Sequence, residues 1–402
     1  MGSRNRQNCS FAMVSRDPDS SAELRRVIQM ELHILGTSSA RPTGKRQVSG
    51  SLIHCDEGIA VVDAGEGFQI RYAEQRKRLK QFEKGTTLRS SKIDVVCLTH
   101  GHLDHTWGLL PWMHTMALDR RESPLLILGP TSSDVFDALL SGGEIPDSAP
   151  SAELARQIRA WQALGATSEE LGYEVQWVLG DVRSNRWLDI SLSGQSIELD
   201  AMPQPAGWKK NRLQPLGTLH TVPSCAWMFE LKGKAGKFDR LRAAELKLSD
   251  SQKAQLSSGE DVHLEDGTSL KAAEFRGDER PAKRVVISGD TAEMSEQMSS
   301  LPSLDVLVHE ATFLDEAQEW ADKFLHSTST GAARTARACN AKHLVLTHFS
   351  ARLKDANIPL NEAKKVLSDT DTTVTSAHDG DRIQLSESGV THLSWNGDGW
   401  SA

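Results

Sequence analysis

LTHGHLDH, residues Leu98–His105, is the stretch that decides the fold of this 402-residue chain. The apolar run that begins at Ile93 ends at Leu98, the first residue of this stretch. The stretch then holds three histidines and one aspartate within six residues. These four residues are His100, His102, Asp104 and His105. Imidazole and carboxylate together suit Zn²⁺, with Mn²⁺ or Fe²⁺ as poorer fits. Because Gly101 permits a tight backbone, two histidines can converge on one cation while Asp104 and His105 turn toward a second.

Two metal sites need more ligands than one loop supplies, and further candidates occur along the chain. They are His220 in TLHTVPSCAWMFE, Asp290 in VVISGDT and His348 in LVLTHFSAR. Each follows an apolar stretch and stands where a predicted strand stops, which is where the sites of α/β proteins usually form. Asp290 is the candidate bridge, because a carboxylate has an oxygen for each of two cations.

Short apolar runs alternate with helical patterns, which indicates a layered α/β architecture with mixed sheets. The predicted strands are Met30–Gly36, Ser51–Cys55, Ile59–Asp63, Ile93–Thr99, Leu125–Leu128, Val285–Ser288, Val306–His309 and Leu344–Thr347. The predicted helices are Glu66–Phe82, Ser151–Leu164 and Ser327–Ala338. Two stretches are less regular. Residues 141–196 look like an insertion, and residues 232–283, rich in Lys, Asp, Glu and Ser, are predicted to form a solvated excursion.

The composition is that of an ordinary globular protein, with 38% hydrophobic and 25% charged residues. A net charge of −8 argues against a chain that is basic throughout, yet nucleic-acid binding needs only a local positive patch. WKKNR, residues 208–212, is either such a patch or an ordinary solvated loop. No apolar run reaches the roughly 18 residues of a membrane span.

Two further features bear on where the protein works. Residues 1–27 are polar and contain no apolar h-region, so we expect a disordered tail rather than a secretory signal. The five cysteines are scattered without a CxxC pair, which favours reduced, buried thiols. Both features indicate a cytoplasmic protein.

The metal-ligand pattern and its flanking words resemble the ribonuclease Z family of the metallo-β-lactamase superfamily. HxHxDH is followed by a downstream His, an Asp in SGDT and a final His, and HST followed by LTHFS is the most diagnostic pair of words. The other similar segments are LGTSSARPTGKRQVSGSLI (35–53), VVDAGEGFQIRY (61–72), VHEATF (308–313) and AHDGDRIQL (377–385). The resemblance implies an αββα sandwich, two mixed β-sheets flanked by helices, over residues 28–402.

The resemblance also assigns the ligands. It implies one zinc on His100, His102 and His220, and a second on Asp104, His105 and His348. Asp290 and a hydroxide would lie between the two cations. Asp63 would orient a loop histidine without touching metal. A turn aspartate before Gly65 is an equally good reading of Asp63 from the sequence.

The implied reaction is hydrolysis of a phosphodiester, as in the family's removal of the 3′ trailer from precursor tRNA. A shared hydroxide would attack phosphorus in line while the metals neutralise the growing charge. Asp104 would accept the remaining proton as well as bind metal. His326 of the HST word is the candidate general acid, and Glu310 would hydrogen-bond it and favour its protonated form.

Residues 232–283 depart from the family's pattern, and this bears on the substrate. The family often carries a basic, Gly/Pro-rich tip that clamps the tRNA elbow, whereas this chain has KLSDSQKAQLSSGE. Because phosphate contacts dominate nucleic-acid affinity, we expect weaker or different tRNA binding. The alternative functions are a phosphodiesterase for small diesters or cyclic nucleotides, and a non-catalytic RNA-binding scaffold. Homodimerisation is implied by the resemblance alone.

Overall fold

A computed structural model describes residues 28–83, 87–190 and 196–402 of the chain. The predicted disordered tail, residues 1–27, lies outside the described residues. The strands predicted from the sequence all occur, with ends that differ by one or two residues, and the ends of the predicted helices differ by up to three. Differences of this size are expected, because hydrogen bonds rather than hydropathy define where an element ends.

The strands and helices alternate along most of the chain. In chain order the strands are β1 (Ile28–Gly36), β2 (Gly50–Cys55), β3 (Ile59–Ala64), β4 (Ile93–Cys97), β5 (Leu125–Pro130), β6 (Val175–Asp181), β7 (Arg186–Asp189), β8 (Ile197–Leu199), β9 (Asn211–Gly217), β10 (Cys225–Leu231), β11 (Val262–His263), β12 (Ser269–Leu270), β13 (Lys283–Ile287), β14 (Val306–Glu310), β15 (His343–Thr347), β16 (Thr373–Ser376), β17 (Arg382–Ser386), β18 (Gly389–Trp395) and β19 (Trp400–Ser401). The helices are α1 (Phe68–Phe82), α2 (Leu103–Thr106), α3 (Leu109–Leu118), α4 (Ser133–Leu140), α5 (Leu154–Ala163), α6 (Ser168–Leu171), α7 (Arg240–Glu245), α8 (Asp250–Ser258), α9 (Ser295–Met298), α10 (Gln318–Phe324), α11 (Ser329–Ala338) and α12 (Asn357–Val366).

Two mixed sheets carry the fold. The larger has 11 strands in the order β19-β18-β17-β1-β2-β3-β4-β5-β6-β7-β8, and the smaller has six in the order β16-β15-β14-β13-β10-β9. Strands β3 to β6 are parallel in the larger sheet, and β13 to β16 are parallel in the smaller one. The remaining pairs are antiparallel, for example β1 with β2 and β9 with β10.

Three apolar clusters hold the layers together. One cluster lies between the sheets and joins Leu32 and Val95 of the larger sheet to Trp227 and Val285 of the smaller. A second packs α1, α3, α4 and α5 on the outer face of the larger sheet. A third packs α9, α11 and α12 on the smaller sheet. The order helices, sheet, sheet, helices is the αββα sandwich predicted from the sequence.

Residues 141–190 are built into this sandwich. Strands β6 and β7 extend the larger sheet, β6 in parallel with β5 and β7 antiparallel to β6. Trp161 of α5, Trp177 of β6 and Trp187 of β7 are all buried. The stretch predicted as an insertion therefore supplies part of the sheet and the core rather than a separate unit.

Residues 232–283 form a small folded unit, here called the arm, where the sequence predicts a solvated excursion. It contains α7, α8 and the β11–β12 hairpin. It has an apolar core of its own, formed by Ala243, Leu248, Leu256, Val262, Leu270, Ala272 and Phe275. The arm is therefore a folded extension whose polar residues cover a compact centre.

Two sequence expectations concern the rest of the molecule. Four cysteines, Cys55, Cys97, Cys225 and Cys339, are buried free thiols. The remaining one, Cys9, lies outside the described residues. Among the described helices none combines the length and apolar character that a membrane crossing requires.

Candidate metal centre

One edge of the sandwich gathers the predicted ligands. The carboxyl ends of β4, β13 and β15 meet there with the start of β10, and the residues just beyond these ends carry the ligand candidates. A backbone hydrogen bond of 2.9 Å from Cys225 N to Thr99 O ties the two sheets together at this point. Both sheets therefore contribute side chains to one cleft, which is how residues far apart in the sequence become neighbours.

Three histidines and one aspartate form the first group of ligand atoms. His102 Nδ1 lies 3.0 Å from His100 Nε2 and 3.2 Å from His220 Nε2. Asp290 Oδ2 lies 3.7 Å from His100 Nε2 and 4.0 Å from His220 Nε2. The four atoms fall within 4.8 Å of one another, which is close enough to share one cation.

The second group lies beside the first and also includes Asp290. His105 Nε2 and His348 Nε2 are 3.2 Å apart. Asp290 Oδ1 lies 3.3 Å from His105 Nε2 and 3.2 Å from His348 Nε2. Asp104 Oδ2 lies 3.5 Å from His348 Nε2. Asp290 therefore offers Oδ2 to the first group and Oδ1 to the second, as expected for a bridging carboxylate.

The outward nitrogen of each of four histidines meets an oxygen. Nδ1 of His105 lies 2.7 Å from Asp63 Oδ2, Nδ1 of His220 lies 2.9 Å from Leu325 O, Nδ1 of His348 lies 3.0 Å from Thr312 Oγ1, and Nδ1 of His100 lies 3.0 Å from Thr99 Oγ1. A carboxylate or carbonyl oxygen can only accept, so Nδ1 of His105 and of His220 donates. In the neutral form of each ring, Nε2 then carries the lone pair that faces the site, as in metal-binding histidines.

Two observations test whether divalent cations fit this set of atoms. Imidazole nitrogens 3.0–3.2 Å apart face one another, a separation at which two rings share either one proton or one cation. Asp290 Oδ1 is buried and lacks a hydrogen-bond partner in the described part of the chain, which is costly for a carboxylate oxygen. Nitrogen and carboxylate ligands in two groups suit a pair of divalent metal ions.

Protonation in the centre differs between histidines. Burial lowers the pKa of His102 to about 4 and the pKa of His100 well below its ordinary value, so both rings are in the neutral form that binds metal. Burial by itself would lower the pKa of His105. The carboxylates of Asp290, Asp63 and Asp104 outweigh this effect, so the pKa of His105 is raised. A cation held by the second group would therefore have to displace a proton from His105.

Backbone conformation at the centre is unusual at two positions. Asp63 and His348 have φ of 57° and 56°, in the left-handed region that residues other than glycine seldom adopt. Such conformations cost about 1–3 kcal/mol each and concentrate at functional sites. Gly289, beside Asp290, has a φ of 60°, and a methyl group there would collide with the side chain of Thr99. Glycine at this position lets the Asp290 loop approach the metal loop.

A carboxylate–imidazole pair lies next to the metal-ligand groups. Glu310 Oε1 is 2.8 Å from His326 Nδ1, and both side chains are largely buried. Burial opposes the charge on each partner, but their mutual attraction outweighs it, lowering the pKa of Glu310 and raising the pKa of His326 to about 9. The Glu310 carboxylate therefore favours the protonated form of the His326 ring at neutral pH. Its ring lies 4.9 Å from that of His220, between centroids.

Several residues of the centre were not predicted from the sequence. Thr312 contacts Glu310 Oε2 at 2.6 Å as well as His348, so its hydroxyl links the two parts of the site. Ala40 N donates to Asp104 Oδ2 at 2.7 Å. The word HEATF could have pointed to Thr312, because the hydroxyl follows Glu310 by two residues. A backbone donor such as Ala40 leaves no signal in a sequence.

WKKNR lies outside the metal centre. The backbone N–H groups of Lys209, Lys210 and Asn211 donate to the Glu57 carboxylate at 2.9–3.1 Å. Lys210 also pairs with Asp56 at 2.5 Å. These contacts hold the segment against the β2–β3 turn, which accounts for its shape without any ligand.

Comparisons with known proteins agree with this architecture. Residues 43–127 match a family model described as the metallo-beta-lactamase superfamily, and residues 252–349 match one described as a beta-lactamase superfamily domain. The chain is 30% identical over 359 residues to ribonuclease Z of Haloferax volcanii, an alignment that covers 89% of this chain and 96% of the relative. The chain belongs to the ribonuclease Z family. The ribonuclease Z of Myxococcus xanthus is 29% identical over 324 residues, 80% of this chain and 88% of that protein.

Solved structures share the fold of this ribonuclease Z family member. The metallo-beta-lactamase fold protein YhfI of Bacillus subtilis superposes with a TM-score of 0.54 at 17% identity, covering 88% of this chain and 99% of that one. A long form RNase Z from yeast gives a TM-score of 0.53 at 16% identity, covering 91% of this chain and 43% of that one. The predicted family, the αββα fold class and the class of metal-dependent hydrolase are confirmed. The chain carries a binuclear site for divalent metal.

Proposed function

We propose that this ribonuclease Z family member is an endoribonuclease that removes the 3′ trailer from precursor tRNA with two zinc ions. The observation that carries the proposal is the position of Asp290, which offers a separate oxygen to each of two ligand groups. The buried Glu310–His326 pair beside these groups supplies the proton that an RNA leaving group needs.

The ligand set supports zinc as the metal. The first group supplies three imidazoles and a carboxylate oxygen, and the second supplies two imidazoles with Asp104 and Asp290. Imidazole is a good ligand for zinc, while a carboxylate-rich set would favour magnesium or manganese. When bound, the two cations activate a water near neutral pH and neutralise charge on the phosphoryl oxygens.

Residues of the protein orient the metal ligands and transfer the protons of the proposed reaction. Asp63 and Thr312 fix the rings of His105 and His348, so the ligands keep their geometry during turnover. Asp104, held by Ala40 N, is the residue we assign to receive a proton as well as bind metal. His326, kept protonated by Glu310, donates a proton to the departing ribose oxygen. These assignments need the scissile phosphate beside the two ligand groups, with its leaving oxygen within hydrogen-bond reach of the His326 ring.

The base of the arm supports RNA as the substrate. Lys232, Lys234, Lys237 and Arg240 are exposed cations within nine residues. Basic side chains close together on one surface bind phosphate backbone and release counterions. The nearby Asp239 accepts a hydrogen bond from Arg242 N at 2.9 Å and caps α7.

The tip of the arm favours a second candidate function. Residues 248–266 carry five acidic residues against one lysine. This charge repels a phosphate backbone, which suits a phosphodiesterase for small diesters or cyclic nucleotides that needs no clamp. The same ligand groups and the same acid would serve that reaction.

Three further parts of the proposal rest on the sequence and the family resemblance. We propose a homodimer, which light scattering of the purified protein would test. We propose a cytoplasmic location, in keeping with four buried, unpaired cysteines. We also propose that residues 28–402 form one catalytic domain with the arm as an extension, whereas the tail over residues 1–27 stays a prediction.

A comparison of two substrates tests the function. The metal-loaded protein is incubated with a precursor tRNA and, separately, with bis-p-nitrophenyl phosphate. Cleavage of both, lost in Asp104→Ala, is the result we expect. Diester turnover without RNA cleavage would favour the small-substrate phosphodiesterase. If two metals bind and neither substrate is cut, the protein is a non-catalytic scaffold.

A further inference from the structure

Helix α5 lies against the metal loop, residues 100–105, although the two are about 50 residues apart in the sequence. The contact is made by Gln157, whose side chain reaches both ends of the loop. Its Nε2 donates to Gly101 O at the start of the loop. Its Oε1 accepts from Thr106 Oγ1, directly after the loop, at 2.8 Å. One amide group thus spans the segment from Gly101 to Thr106, which carries three of the ligand candidates.

The backbone of the loop also touches the segment that precedes α5. A methyl group on Gly101 would collide with the carbonyl oxygen of Ala152. Glycine at this position is therefore required by the close approach of Ala152, and the loop cannot move toward α5. The amide of Gln157 in turn stops the loop from moving away.

Helix α5 is itself firmly held, so it can act as a support. Ile158 and Trp161 are buried in the cluster between α5 and the larger sheet. At the start of the helix, the buried Glu153 accepts a hydrogen bond from Thr131 Oγ1 at 2.7 Å. A loop fastened to such a helix keeps one conformation more firmly than a loop fastened to another loop.

We propose that Gln157 is a positioning residue that holds the metal loop in its ligating conformation. The hydroxyl of Thr106 also lies 3.2 Å from His102 O, so the contact with Gln157 reaches the backbone of a ligand candidate. The inference rests on the proposed function, because it takes residues 100–105 to bind metal. The inference assigns a role to residues 141–190, which the sequence does not explain. Through Gln157 they would support the loop that binds metal.

The test compares two glutamines on the same helix. Gln157→Met keeps the length and helix propensity of the side chain but removes both hydrogen bonds. Gln162→Met is the matched control, because Gln162 is also half-buried and donates to a backbone carbonyl, that of Ile190 at 3.3 Å. Metal affinity is measured by competition with a chelator, and ligand geometry by the visible absorption spectrum of the Co²⁺-loaded protein.

Gln157→Met is expected to weaken metal affinity about 10–100-fold, the usual effect of losing a residue that orients ligands. The Co²⁺ spectrum should change, while circular dichroism stays that of the wild type. Gln162→Met should match the wild type in both metal measurements. Equal metal affinity and equal Co²⁺ spectra for the two variants would overturn the inference.

Thr106 provides a second route that does not depend on how well Gln157→Met folds. Thr106→Val should weaken metal binding, and Thr106→Ser, which keeps the hydroxyl, should restore it. The effects of Thr106→Val and Gln157→Met should add only in part in the double variant, because both remove the hydrogen bond between Thr106 and Gln157. Full additivity would contradict the inference. Failure of the proposed function is seen separately, as a wild-type protein that binds no metal pair or cuts no phosphodiester.

Discussion

Glu310 Oε1 lies 2.8 Å from His326 Nδ1, and this contact joins the end of β14 to the segment before α11. Glu310 is buried and also receives hydrogen bonds from Thr291 N at 2.8 Å and from the Thr312 hydroxyl at 2.6 Å. The carboxylate is therefore fixed in place and charged, and it keeps the imidazole protonated. A protonated imidazole, which the proposed general acid requires, is thus held next to the metal-ligand groups.

Replacing His326 tests the role of the proton donor independently of the role of the metals. His326→Ala should lower kcat for precursor tRNA by about 10²–10⁴-fold, the usual contribution of a general acid. Turnover of bis-p-nitrophenyl phosphate should fall much less, since its leaving group departs without a proton. Steady-state kinetics with both substrates, at a metal content matched to the wild type, checks this. An equal loss on both substrates would show that His326 does not act as the acid.

Glu310→Gln should change the pH dependence of RNA cleavage. In the wild type the Glu310 carboxylate raises the pKa of His326 to about 9, so we expect activity to decline as the pH rises through that value. Without the carboxylate, burial is left to lower the pKa, so the decline should occur at lower pH. The pH profile of kcat for precursor tRNA measures the shift, and the profile for the p-nitrophenyl diester is the control. An unshifted alkaline limb would disprove the role of the pair.

Asp63→Asn tests the orientation of the ligands. The Asp63 carboxylate accepts three hydrogen bonds of 2.7–2.8 Å, two from Thr99 and one from His105 Nδ1. An asparagine has one oxygen, so at least one of these donors would face an amide N–H. Metal affinity should fall about 10–100-fold. Asp94→Asn, which alters a half-buried aspartate bonded to Trp208 at 2.9 Å, is the control, and equal affinities for both variants would count against this role.

The role of the base of the arm in RNA binding is tested by removing its positive charges. Alanine at Lys234, Lys237 and Arg240 together should weaken binding of precursor tRNA and reduce the slope of log affinity against log salt, by about 0.9 for each lost phosphate contact on a duplex. The diester should be cut at the wild-type rate, since no clamp is needed. Lys364→Ala with Lys365→Ala, which removes two exposed lysines of α12, is the control. An unchanged salt slope would mean that RNA binds elsewhere.

The sequence predicts the metal loop because chemistry, spacing and position agree within eight residues. Few arrangements other than a metal site account for HGHLDH directly after a strand. The apolar runs before Asp290 and His348 place those two residues at strand ends. Family resemblance then pairs Glu310 with His326, and the structure brings these two side chains together. These features are local, or are fixed by the order of strands in the sheet.

Other features could not be predicted because they depend on contacts between distant segments. The Leu325 carbonyl that orients His220 is a backbone atom, so any residue could supply it. Strands β6 and β7 lie among segments rich in Gly, Ser and Asp, and the pairing of a strand depends strongly on its neighbours. The sequence therefore predicts an insertion over residues 141–196, whereas in the structure β6 and β7 extend the larger sheet.

The most direct test of the account is the position of the cut in a precursor tRNA. The protein is loaded with two equivalents of zinc, and the products are mapped by mass spectrometry alongside those of Asp104→Ala. The account predicts a single cut after the discriminator base by the wild type and at least 100-fold slower cleavage by the variant. Cleavage at scattered positions, or equal rates for the wild type and Asp104→Ala, would contradict it.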